Sequence, residues 1–130
     1  MIVAALEIVS FDPEPAHVVG TGGAMGAICR HWVYRYAAVE DVPIPTLVVN
    51  VVGSFVFGVL VFAGATESTI QLLGIGACGA FTTFSSFSVE TVQIWERGDR
   101  RLAALIAGGN LVLALAGIAL AWVLVTQWPL

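Results

Sequence analysis

The strongest constraint on this chain is where charge is missing. Between Val42 and Trp95 the only charged residues are Glu67 and Glu90, and from Leu102 to the C-terminus there are none. An apolar helix needs about 20 residues to cross the hydrocarbon core of a bilayer, and these stretches are long enough to do so more than once. A soluble domain would lack the material for a surface. Only 11% of the 130 residues are charged and 58% are hydrophobic, against about 25% charged in an average soluble domain. The mean hydropathy is +0.94. The expected product is one all-α membrane protein, multi-pass in the cell membrane, because a helix satisfies its own backbone in lipid.

The remaining charges exclude other classes. The net charge is −4 and there is no lysine, so the basic face that nucleic acid requires is absent. Cys29 and Cys78 lie in apolar segments without a CxxC or a metal-ligand spacing, which suits small buried hydrophobes.

Residues 1–17 form an N-terminal extension. Their start has no basic residue, Glu7, Asp12 and Glu14 interrupt the apolar run, and DPEP holds two helix-breaking prolines, so they do not read as a signal peptide; a short interfacial helix is one reading of them. Residues 18–128 then hold four expected spans, at about 18–38, 46–64, 70–95 and 102–125. In the first, Gly22 and Gly26 allow close helix contact. Its far end carries Arg30, His31, Trp32, Tyr34, Arg35 and Tyr36, a mixture suited to the membrane–water interface, where arginines snorkel. In the second, Thr46, Asn50, Ser54 and Gly58 fall four apart and share one helix face. The fourth has Asn110 as its only strongly polar interior residue.

The third span is the unusual one. Residues 76–90 read GACGAFTTFSSFSVE, with five hydroxyls interrupted only by phenylalanines. Glycine, alanine and two threonines at 79–83 predict a break in the helix. Unwound backbone at membrane depth is tolerated only where protein or a water-filled cavity surrounds it.

Several side chains have both a plain and a chemical reading. Asn50 is either interhelical glue or a pore-lining amide whose NH2 donates to a passing anion. Phe84 and Phe87 share a helix face with Thr83, Ser88 and Thr91. They either pack or present positive ring edges beside hydroxyl donors, replacing part of an anion's hydration without a fixed charge to trap it. Glu90 fits a helix-end or interfacial acid better than a transport carboxylate. His17 and His31 read as surface or interface residues. GIGACG at 74–79 matches a dinucleotide-binding fingerprint in letters only, since no strand and no βαβ unit accompanies it.

Three segments resemble one family. GGAMGAICR (22–30), PTLVVNVVGSFVFG (45–58) and GACGAFTTFSSFSVE (76–90) resemble, in order and spacing, the motifs of the CrcB/Fluc fluoride channels. With the fourth span, the resemblance covers about residues 20–125. It implies a passive fluoride-specific channel, not an enzyme, that lets cytoplasmic fluoride leave down its electrochemical gradient. It also implies an antiparallel, dual-topology-type dimer with two pores along its interface. By motif position Asn50 corresponds to the pore asparagine, and Phe84 and Phe87 to the two phenylalanines facing fluoride. Thr83 and Ser88 could help line the route. Gly79 and Thr82 correspond to positions whose backbone carbonyls hold a structural Na+ that is not transported. Ala80 stands where a second glycine is common and Ser86 where threonine is usual. The fourth helix offers only Asn110 where the family often carries Tyr and Ser.

Orientation adds an expectation. All five arginines fall toward the first and third loops, which places both termini outside by the positive-inside rule. So one-sided a bias suggests pairing with an oppositely oriented paralogue. Two rivals remain: a small four-helix proton-coupled multidrug-type transporter, which would need a carboxylate deep in the first span, and a non-conducting membrane scaffold.

Overall fold

A computed structural model describes residues 15–128. Residues 1–14 of the expected N-terminal extension lie outside the described residues, and the last three of that extension are already helical. Helix α1 runs Pro15–Tyr36, beginning on a proline, which a first helical turn tolerates because its N–H has no intrahelical acceptor there. Helix α2 is Ile44–Phe62. The third run is composite: α3 (Glu67–Thr69), a π-helix (Ile70–Cys78), α4 (Gly79–Phe81) and α5 (Phe84–Glu96). Helix α6 is Arg100–Gln127. Among the described residues the only β-type pairing is an isolated bridge between Val39 and Val42, so GIGACG, inside the helical run, cannot be a dinucleotide loop.

By length and composition, three runs are long and apolar enough to cross a membrane: Ile44–Phe62, Glu67–Glu96 and Arg100–Gln127. The chain is thus an all-α, multi-pass membrane protein. The first expected span is also helical, but its glycines, Arg30, His31 and Arg35 make it less apolar than these three.

The ends are set by local chemistry. Gly64, at φ 67°, follows α2; its N–H donates to the Val61 carbonyl and that of Ala65 to the Leu60 carbonyl, the left-handed glycine stop. Gly98 (φ 94°) closes α5 in the same region of backbone space. Asp99 then caps α6 by accepting the Leu102 N–H at 3.0 Å, as N-terminal donors require.

The α1 glycines explain the packing of the first layer. A Cβ on Gly22 would overlap the Leu72 carbonyl, and one on Gly26 the Ala77 carbonyl. Backbone therefore meets backbone between α1 and the π-helix, as the Gly22/Gly26 spacing predicts. The π-helix itself is new information. Its i→i+5 bonding widens the turn, and Gly76 lets it lie against the Val19 carbonyl. On the other side α2 and α6 pack together, with a Cβ on Gly58 meeting that of Ala121 at 3.0 Å.

Loops one and three share an end of the bundle, where Arg97 lies 3.6 Å from Asp41. Both partners are largely solvated, so this pair marks proximity more than it stabilises. Arg100 stacks 5.2 Å from the Trp95 ring. His17 and His31 are exposed. Cys78 is buried as expected, but Cys29 is exposed on the chain's own surface, where it lines an open-sided apolar cavity with Gly26, Ala77 and Cys78.

Valine at Gly26 would force the α1 and π-helix backbones apart. Gly26→Val is expected to cost about 1–3 kcal/mol or more and to lower the melting temperature in detergent, whereas Gly20→Ala, with open space around it, should leave it unchanged or raised.

Candidate functional site: the broken helix and its amide clasp

Two residues interrupt the third run. Thr82 (φ −80°, ψ 164°) and Thr83 (φ −154°, ψ 117°) are extended, where the glycine and threonines predict a break. The Thr83 N–H, which a continuous helix would send to the Gly79 carbonyl, goes instead to Asn50 Oδ1 at 2.8 Å. Asn50 Nδ2 donates back to the Thr83 carbonyl at 3.1 Å. One side-chain amide thus pairs with the N–H and C=O of one residue, as a neighbouring strand would. The second hydrogen on Asn50 Nδ2 is donated to Asn110 Oδ1 at 3.0 Å, tying α6 to the same point.

The backbone groups of Thr82 are also paired. Thr82 N–H and Thr82 Oγ1 both donate to the Cys78 carbonyl at 3.0 Å. The Thr82 carbonyl accepts from Arg30 Nη1 at 3.3 Å. Arg30 is therefore turned inward to the break, not snorkelling to the interface, because an otherwise unpaired carbonyl lies within its reach. Thr83 Oγ1 accepts the Ser86 N–H at 3.1 Å and starts α5 as its N-cap. Thr83 consequently sits before the helix rather than on its face, which corrects the shared-face reading of Thr83 with Phe84 and Phe87. Ser88 Oγ donates to the Phe84 carbonyl at 2.9 Å, and Thr91 Oγ1 to the Phe87 carbonyl at 2.7 Å. The dense hydroxyls thus cap and brace a helix that restarts inside the membrane domain.

The α2 ladder meets a different partner at each rung. Thr46 is buried, its hydroxyl 2.6 Å from that of Tyr34. Asn50 clasps the break, and Ser54 lines cavities. Gly58 admits α6.

An open-sided cavity of about 310 Å³ lies beside the clasp, lined by Asn50, Ser54, Thr82, Thr83, Phe84, Phe87, Asn110, Leu111 and Ala114. None of these side chains is charged. The Phe84 and Phe87 rings lie 5.8 Å apart between centroids, tilted by 47°, and Phe84 is 79% exposed. Of the sequence-predicted pore residues, Asn50, Thr83, Phe84 and Phe87 are brought together here; Ser88 is not part of this lining. Gly79 and Thr82 meet in a neighbouring cavity of about 370 Å³, which Ser54 also lines. Glu90 is elsewhere, in a cavity with Asp41 and Arg97 near the loop end, and its Oε2 is buried without a partner. Sequence reasoning left Arg30 and Asn110 outside the site. The available signal for Asn110 was a lone amide in a charge-free span.

Residues 17–122, which contain the whole clasp and both cavities, match the family model described as CrcB-like protein, Camphor Resistance (CrcB). The chain belongs to the CrcB-like family. Similar proteins include "Fluoride-specific ion channel FluC 2" of Haloarcula marismortui, 59% identical over 84% of this chain and 92% of the relative. "Fluoride-specific ion channel FluC 1" of Halobacterium salinarum is 50% identical over 85% and 93%. "Fluoride-specific ion channel FluC 3" of Methanosarcina acetivorans is 38% identical over 81% and 96%.

Asn50 makes three hydrogen bonds that no other side chain among the described residues duplicates. Asn50→Ala should therefore lower stability by about 2–4 kcal/mol, at roughly 1 kcal/mol per lost bond plus the buried groups left unpaired. Denaturant unfolding followed by circular dichroism in detergent measures this.

Proposed function

We propose that this CrcB-like protein is a fluoride-specific ion channel of the cell membrane, which lets cytoplasmic fluoride leave passively and so limits its toxicity. The observation that carries the reading is the uncharged cavity beside the helix break, where amide and hydroxyl groups stand against two aromatic rings. Fluoride is small and tightly hydrated, so a path for it must supply replacement donors. Ring edges carry partial positive charge, and polar hydrogens complete the shell. A fixed positive charge would hold the ion too long for conduction. The names of the similar proteins point the same way. The lane proposed here passes Asn50, Thr83, Phe84 and Phe87, with Ser88 further along α5.

A proton-coupled transporter is less well supported, since no carboxylate lines this cavity and Glu90 stands apart from it. A scaffold gives no reason for a polar cavity at a helix break.

The four helical runs are proposed to be four crossings, and the pore to be completed by a second, antiparallel subunit. The cavity is open-sided, Phe84 is largely exposed, and α6 has only 11% of its most apolar window buried within the chain. Arg35, Arg97, Arg100 and Arg101 sit toward one end and no arginine toward the other. This favours both termini outside and an oppositely oriented paralogue as partner.

A structural Na+ fits the break in part. The Gly79 carbonyl has lost the Thr83 N–H that a helix would give it, and it lines one cavity with Thr82. These carbonyls are hard oxygen donors of the kind that alkali and alkaline-earth cations take. Such an ion would neutralise carbonyl dipoles at the break, sharing the Thr82 oxygen with Arg30.

Reconstituted in liposomes together with an oppositely oriented paralogue, the protein should release fluoride to an electrode while retaining chloride, and sodium-free buffer should reduce the flux. Phe87→Ile should slow fluoride by up to about tenfold, the equivalent of one lost ring-edge contact of about 1 kcal/mol. Equal passage of both halides, or of neither, would overturn the reading. Expressed without a partner, the chain should be silent; a full flux from this chain alone would rule out an obligate paralogue.

A further inference from the structure

We propose that Met25, Cys29 and Cys78 form a binding site for a soft monovalent metal cation, cuprous copper, at the seam between α1 and the third run. This site is separate from the cavity beside the clasp and stands whether or not fluoride passes.

The chain has two methionines and two cysteines, and the three of these within the described residues line one cavity of about 230 Å³. The rest of that lining is glycine or hydrocarbon, Val56 and Phe81 among it. Sulfur therefore supplies every side-chain donor atom there. Met25 and Cys29 are four apart on α1 and share a face of that helix. Gly26, beside them, brings α1 onto the Ala77 carbonyl, and Cys78 is the next residue of the third run. This backbone approach carries the thiol at position 78 to the thiol at position 29. Local spacing could not announce a cluster assembled from two helices.

The donor set selects the ion. Thiolate and thioether are soft ligands that favour cuprous copper, whereas hard cations take oxygen. A structural zinc site is closed by four ligands, and this lining offers three. Cuprous copper accepts a two- or three-coordinate shell of sulfur. The way in is open: Cys29 is exposed and Met25 is 49% exposed.

Charge balances as well. Binding displaces one proton from each thiol, leaving a cuprous dithiolate with one net negative charge. Arg30, next to Cys29 on α1, holds its guanidinium on the Thr82 carbonyl, and Thr82 in turn donates to the Cys78 carbonyl. A fixed positive charge thus stands at the same level of the bundle. A bound ion would tie α1 to the third run just before the break.

The test is a titration of the purified protein in detergent, free of oxygen, with cuprous ion against a chromogenic cuprous chelator. One ion per chain should bind, protect Cys29 from alkylation by a maleimide, and raise the melting temperature, as a ligand of the folded state does. Equimolar zinc should neither protect nor compete. Cys29→Ser should weaken binding by more than about 100-fold, beyond the loss caused by residues that only position a ligand. Met25→Leu, which keeps the volume but removes a neutral ligand, should weaken it by about tenfold. No binding at one equivalent, native affinity in Cys29→Ser, or displacement of copper by zinc would overturn the assignment. Should Cys29→Ser fail to fold, Met25→Leu and the alkylation of the native protein decide.

Discussion

A helix that stops in the middle of a membrane domain leaves backbone groups with no water to turn to, and the fold depends on how that is answered. Here one side chain, Asn50, takes both the N–H and the C=O of Thr83. In hydrocarbon, unsatisfied peptide groups cost several kcal/mol each, so the clasp is what permits the break to exist. Thr82 turns its own donors back to Cys78, and Arg30 reaches its carbonyl from α1. Helices α1 and α2 therefore converge on these two residues, and α6 joins them through Asn50.

This convergence needs close packing around it, and small residues supply it. Gly22 and Gly26 bring α1 onto the carbonyls of the π-helix, and Gly58 brings α2 onto α6. Without those approaches Arg30 could not reach Thr82, nor Asn110 reach Asn50. The consequence for chemistry is a cavity whose polarity comes from neutral dipoles. Its ionisable neighbour Glu90 is kept to another part of the bundle. Neutral donors and ring edges can hold a small anion briefly, which is what permeation asks of a site.

Much of this was legible in the amino acids. GAFTT placed the break because glycine and β-branched threonine weaken a helix, and the i+4 ladder placed Asn50 on a helix face. Gly22 and Gly26 announced a close approach. Other features were not legible. Nothing local distinguishes a π-helix over residues 70–78 from an α-helix of the same composition, since the choice is made by what α1 presses against it. Arg30 looked interfacial because snorkelling is the usual outcome for an arginine near a span's end; its actual partner is 52 positions away. Thr83 looked like a face residue only while the helix was imagined to continue through it.

The amino-acid order by itself determined the class: charge-free stretches of membrane length, helical because only helices and barrels satisfy their backbone in lipid, with a weak point in the third run and a lone amide in each of the second and fourth. Hydropathy and helix periodicity are short-range properties, so they can be read along the chain. Tertiary structure alone decided which polar groups pair across it. Whether Asn50 donates to an ion or to Thr83 and Asn110 depends on contacts 33 and 60 positions apart, and no local preference encodes such distances. The same packing brought Met25, Cys29 and Cys78 to one cavity.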